Sequence, residues 1–272
     1  MIHVDGYTTI GRSHKVCEDY VVLGKDHVVL SDGCSSSPKT DVGARLLAHA
    51  MDNILSCSGG EYMGDMSGTM AIHDASLCLG ILGLDGRCLD ATLLYMLIDR
   101  DRDRVHVTTF GDGNILCLYR NGKVSCCNTT YSHNAPAYLS YRGDKSRREA
   151  YRQMAGEVLH RISSRPTENR EWRLDDFQSL ESSVSRGGCM MEPVSEIRAI
   201  MIASDGIESF YDQSGNQIPL HDVINEIVEF KHFGPGFLQR RMGSRRGVIN
   251  TFAKMGITHA DDISIAGFCF ED

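Results

Sequence analysis

The chain has 272 residues, 42% of them apolar and 24% charged, enough to close one sizeable core. A net charge of −8 argues against a nucleic-acid partner, because phosphate backbones need a cationic face. No apolar run reaches the ~18–20 residues of a membrane span, and the opening MIHVDGYTTIGRSHK lacks the apolar stretch of a secretory signal. A cytoplasmic monomer without a membrane partner is therefore expected. Ten scattered cysteines, none in a C-x-x-C pattern, read as reduced thiols. The adjacent Cys126 and Cys127 read as small strand hydrophobes.

In chain order, YTTIG, YVVLG and DHVVLSD are strands rich in β-branched residues. Residues 40–57 place Val42, Leu46, Leu47, Met51, Ile54 and Leu55 at helical spacing. The glycine-rich SGGEYMGDMSG is a loop, and 69–82 is a second helix. Residues 91–128 form a meander of strands, turning in the charged run 99–104 and at Asn121-Gly122. Residues 145–163 are expected to be one helix inside an irregular, flap-like insertion at about 130–196. RAIMIASDG returns to a buried strand. Helices follow at 220–230 and 245–256, with Gly256 as a cap, and DDISIAGFCF is the last strand. Runs of strands with helices in separate pairs favour an α+β fold over a doubly wound sheet. The expected architecture is two stacked antiparallel β-sheets flanked by helix pairs, within a single domain over 1–272.

The chemistry lies in acids at strand ends. Asp32-Gly33 and Asp205-Gly206 each close an apolar run, and Asp112-Gly113 follows HVTTFG. Asp261 and Asp262 precede the last strand; Glu18 and Asp19 precede the second. A single such aspartate would only cap a turn. If all these strand ends converge, two like charges ~4 Å apart repel by about 4 kcal/mol at an effective dielectric of ~20, so the cluster implies cations. Oxygen-only ligands select Mg²⁺ or Mn²⁺ rather than Zn²⁺.

Taken in order, GRSHKVCEDY, SDGCSSSPKTDVGARLLA, the stretch from Ala91 through TTFGDGNILCLYRNGKV, MIASDGIESF and ADDISIAGF resemble the blocks of the metal-dependent type 2C serine/threonine protein phosphatases. SHNAPAYLSY resembles a bacterial subgroup of that family. The resemblance implies a hydrolase acting on phosphoserine and phosphothreonine in proteins, through a water bridging two Mn²⁺ or Mg²⁺ ions. It implies that Asp32 bridges the ions, that the Gly33 carbonyl ligates one, and that Asp205 and Asp261 complete the other. Glu18 and Asp19 would hold metal-bound waters, and Asp112 with Asp205 would take a third ion. The sequence departs from the family pattern at Cys34, where eukaryotic members carry His, and at Ser209, where a further Asp often stands. Arg12 and His14 are the candidates for phosphate binding, and His14 for proton donation.

Two other readings compete: a phosphatase-shaped protein that binds a phosphorylated partner without turnover, and a small-molecule phosphomonoesterase. DRDRDR at 99–104 lacks the glycine and glutamate of a calcium loop and reads as a hairpin tip. Ser35, Ser36 and Ser37 read as caps of the helix that follows, RRMGSRR at 240–246 as a solvated face, and Trp172 as packing.

Overall fold

The computed structural model describes residues 1–59, 61–154, 156–167, 171–181 and 188–271. The chain opens with β1 (Ile2–Thr9), β2 (Tyr20–Leu23) and β3 (His27–Ser31), then α1 (Thr40–Cys57) and α2 (Asp65–Leu82). A meander follows: β4 (Leu93–Asp99), β5 (Arg104–Phe110), β6 (Gly113–Tyr119) and β7 (Val124–Tyr131). Next come α3 (Lys145–Met154), β8 (Glu157–Arg165), β9 (Arg173–Glu181), β10 (Gly188–Pro193), β11 (Ile197–Ala203) and β12 (Phe210–Tyr211). The chain ends with α4 (Leu220–Val228), α5 (Phe237–Gly243), α6 (Val248–Lys254), β13 (Thr258–His259) and β14 (Ile263–Phe270).

Two antiparallel sheets stack face to face. One has seven strands in the order β1-β14-β11-β6-β7-β8-β9, the other five in the order β10-β5-β4-β3-β2. Strand β4 shows why its sequence is continuously apolar. Leu93, Tyr95 and Leu97 face α1 and α2, while Leu94, Met96 and Ile98 face the other sheet. A strand covered on both faces has no polar side to display. Strand β11 does the same, with Met201 and Ala203 toward α4–α6 and Ile200 and Ile202 between the sheets. Three apolar layers result: one between the sheets and one under each helical layer.

Helix α1 covers the expected 40–57, and both expected hairpin turns are present. Three expectations need correction. First, 145–163 is not one helix. Lysine- and arginine-rich α3 ends at Met154, and 157–165 is strand β8, paired along its length with β7. Gly156 intervenes, and the alternation in Val158, His160 and Ile162 then suits a strand that extends an existing sheet. Second, the segment 130–196 is more regular than expected: β8 and β9 widen the seven-stranded sheet, and β10 crosses to pair with β5 at the edge of the other. Third, α2 begins four residues early, inside the expected loop, and α5 (Phe237–Gly243) overlaps the first half of the stretch 240–246 read as a solvated face, with Met242 buried. Trp172 packs as expected, stacked on His221 at 4.3 Å with its indole N–H donating to Asn225 Oδ1.

Candidate active site

The acidic strand ends meet at one rim of the sandwich. A cavity of about 380 Å³ is lined by Asp32, Gly33, Thr92, Asp112, Asp205 and Asp261, together with Cys34, Ser35 and Ser36. His133, Asn134, Pro136 and Tyr138, from the segment after β7, also line it. Asp32 leaves β3 next to β4: its backbone N–H donates to Thr92 Oγ1 at 3.2 Å, and its carbonyl accepts the Thr92 N–H at 2.8 Å. Gly33 sits where any side chain would collide, since a Cβ would lie 2.8 Å from Thr40 Cβ and 3.0 Å from the Glu18 carbonyl. Asp205 follows β11 and opens a short 3₁₀ turn.

Asp19 does not line the cavity but stands behind it, 3% exposed. Ser204, the residue before Asp205, donates its hydroxyl to Asp19 Oδ2 at 2.9 Å. Asp32 lies within hydrogen-bonding reach of both Asp19 and Asp205. Burial first, then mutual repulsion, raises all these carboxyls. Asp19 is pushed up to about 7 and Asp205 to about 6. Asp32 rises well above the usual range through burial and the charges of Asp19, Asp205 and Asp112. Asp112 rises through burial and the charges of Asp205, Glu208 and Asp261. Glu18 is held in place by Ser35 Oγ at 2.6 Å and Thr40 Oγ1 at 3.0 Å. Ser35 thus bonds Glu18 instead of capping the helix that follows, as was expected of it. The first residue of α1 is preceded by Lys39 in a left-handed conformation, without a side-chain cap, while Ser37 donates to Asp90.

The adjacent Asp261 and Asp262 divide their tasks. Asp261 faces the cavity. Asp262 is buried and accepts the backbone N–H of Gly11 at 2.7 Å and of Glu18 at 2.6 Å, fastening the N-terminal loop. Ser209 supports Asp261 directly, accepting its backbone N–H at 3.1 Å. His14 is not on the cavity wall. Its Nδ1 lies 3.0 Å from Asp262 Oδ2 and its Nε2 3.4 Å from Asp261 Oδ1. Burial would lower its pKa, but the contact with Asp262 and the charges of Asp261 and Glu18 raise it overall. Arg12 lines a neighbouring depression with Tyr211 and Thr258.

Several residues of the site carried no signal in the sequence. Asp90 accepts from Ser37, Ser140 and, through both oxygens at 2.7 Å, Arg147 of α3, so it ties the segment over the cavity to the loop after Asp32. Glu208 accepts the amides of Asn114 and Asn128 beside Asp112. His133 and Asn134 both adopt positive φ, 60° and 50°. Such backbone is uncommon outside glycine and gathers at functional sites; the pair lies in SHNAPAYLSY, the stretch whose resemblance to a bacterial subgroup was its signal in the sequence.

Among the described residues no three His, Cys, Asp or Glu side chains already form a cage for a metal ion. The donor chemistry nevertheless suits hard divalent ions. The acids supply oxygen, and Asp19 Oδ1 is buried without a hydrogen-bond partner. Such an orphaned carboxylate oxygen beside raised carboxyls is a mark of missing positive charge.

The protein phosphatase 2C family model matches residues 10–232, well over half of the chain. Among solved structures, the serine/threonine phosphatase PstP/Ppp of Mycobacterium tuberculosis superimposes with a TM-score of 0.56 at 14% identity, covering 100% of this chain and 99% of that one. A second structure of the PstP catalytic domain, in complex with two manganese ions, has a TM-score of 0.54 at 14% identity over 100% and 99% of the two chains. Stp1 of Staphylococcus aureus has a TM-score of 0.54 at 10% identity over 100% and 96%. No curated protein matches the sequence at a significant level.

Proposed function

This chain belongs to the protein phosphatase 2C family of metal-dependent serine/threonine phosphatases, and from that premise we propose which of its residues perform the reaction on phosphorylated proteins. Asp32, the Gly33 carbonyl, Asp205 and Asp261 would hold two Mn²⁺ or Mg²⁺ ions, with Glu18 and Asp19 behind them. Asp112 and Asp205 are the pair that would take a third. When bound, the ions supply Lewis acidity toward water and toward the phosphoryl oxygens.

The chain's own residues do the rest. Asp32 and Asp205 present carboxylate oxygens to the cavity. His14 is a positioning residue, since its two ring nitrogens face Asp262 and Asp261 and so tie the N-terminal loop to the last acidic turn. Tyr138 and His133 line the same cavity and shape the space open to substrate. The cytoplasm is the proposed compartment, which the free thiols of the described cysteines support. No helix among the described residues is long and apolar enough to cross a membrane.

The observation that carries this assignment is the meeting of Asp32, Asp112, Asp205 and Asp261, from four separate segments, around one cavity. The test is phosphate release from a phosphothreonine peptide with Mn²⁺. The parent should turn over, and Asp205→Asn should lose at least a hundredfold. Full activity in Asp205→Asn would overturn the residue assignment.

A further inference from the structure

Helix α2 is apolar on both sides. Its inner face, with Ala71, Ile72, Ala75 and Leu79, packs in the helical layer against α1 and the five-stranded sheet. Its outer face is also apolar and lies in solvent: Met66 is 64% exposed, Met70 40%, Leu77 58% and Ile81 86%. The helix thus carries large apolar side chains on both faces, with exposed Thr69 and Ser76 along one flank, and large exposed apolar patches mark interaction surfaces. At 100° per residue these four side chains, with His73 and Asp74, occupy one stripe about 100° wide.

The stripe is symmetric about its own middle. Around a point between His73 and Asp74, Met70 is matched by Leu77 and Met66 by Ile81, while His73 is matched by Asp74. A two-fold interface requires this property: if residue i touches residue j of the other copy, j must touch i. Two α2 helices lying antiparallel across such an axis would set Met70 on Leu77 and Met66 on Ile81, twice each. They would also place each His73 beside the other copy's Asp74, so the polar pair at the centre is complementary in charge. Within one chain these two side chains already lie 3.2 Å apart in solvent. The 18-residue helix contains no Lys or Arg and only two acids, Asp65 and Asp74. An anionic membrane surface, which attracts basic faces, is therefore a poor occupant, whereas a second copy matches position by position.

We propose that this chain forms a homodimer through the outer face of α2, with the two-fold axis between His73 and Asp74, in place of the monomer expected from its sequence. The proposal does not depend on the catalytic reading, since the stripe contains none of the residues lining the acidic cavity.

Light scattering or sedimentation across micromolar concentrations tests it. The parent should weigh two chains, and Met70→Glu and Leu77→Lys alone should each weigh one. An equimolar mixture of those two variants should dimerise again, because position 70 of one faces position 77 of the other. Both sites are exposed, so each variant should keep the parent's circular dichroism spectrum and its metal-dependent phosphate release, while its melting temperature should lose the rise with protein concentration that a dimeric parent shows. A parent that stays monomeric throughout the range overturns the proposal. So does a mixture that fails to pair after each single variant has become monomeric, since a different register would then hold the dimer. Loss of hydrolysis by Asp205→Asn with dimerisation intact would leave the two assignments cleanly separated.

Discussion

Replacing Asp19 with asparagine should stabilise the metal-free protein and weaken its response to metal. Asp19 is fully enclosed, and burial together with neighbouring acids lifts its carboxyl from an ordinary value of 3.8 to about 7. A carboxyl raised in the folded state contributes stability that is fully present below about pH 3.8 and is lost as pH rises through about 7. At ~1.4 kcal/mol per pH unit, ionising it inside the fold costs about 4 kcal/mol at pH 8. Because Asp32 lies within hydrogen-bonding reach of the same carboxyl, about 2–4 kcal/mol is the expected recovery in Asp19→Asn. For a domain of this size each kcal/mol moves the melting temperature by ~2–4 °C, so a rise of about 5–15 °C follows. Scanning calorimetry in EDTA at pH 5 and pH 8 measures it. The parent should melt lower at pH 8 than at pH 5, and the gap should shrink in the variant. Adding Mn²⁺ at pH 8 should then raise the parent's melting temperature more than the variant's. If Asp19→Asn melts no higher than the parent at pH 8 in EDTA, the picture of acids held together against their own repulsion is wrong.

Other substitutions probe the supports of the site. Asp90→Ala strips Arg147, Ser37 and Ser140 of their shared acceptor; breaking a buried pair from one side costs about 3–5 kcal/mol, and chemical denaturation should show a loss of about that size. In Gly206→Ala the new Cβ would start 1.7 Å from the Asp262 carbonyl oxygen, so the last acidic turn must move; calorimetric titration should show Mn²⁺ affinity falling at least tenfold while the circular dichroism spectrum is retained. Trp172→Ala removes the stacking on His221 and the bond to Asn225, and urea unfolding should place its loss at about 3 kcal/mol. A variant as stable as the parent would mean that β9 is not fastened to α4 through this residue.

Much of the molecule follows from local chemistry. The continuous apolar runs of β3, β4 and β11 announce strands covered on two faces, and the spacing of Leu47, Met51, Ile54 and Leu55 suits the helix that α1 forms. Asp32, Asp112, Asp205 and Asp261 were legible as candidates because each ends or borders such a strand, where an aspartate has no packing role. What local pattern could not resolve was competition between near-equal alternatives. Residues 157–163 continue a helical spacing from α3, and only the free edge of β7 turns them into β8, because pairing satisfies a whole row of backbone groups at once. Asp90 and Glu208 look like ordinary polar loop residues until the fold sets them against Arg147 and the two asparagine amides, and Ser209, marked in the sequence only as standing where a further Asp often does, proves to accept the Asp261 backbone N–H. The division of labour between Asp261 and Asp262 is likewise invisible in a dipeptide: it depends on which carboxylate meets the N–H groups of Gly11 and Glu18 and which meets open space. Sequence alone determined where strands end in acids, since that depends on neighbours along the chain. Only the tertiary structure decided which acids share a cavity and which hold up its walls, because burial, repulsion and hydrogen bonding act between residues hundreds of positions apart.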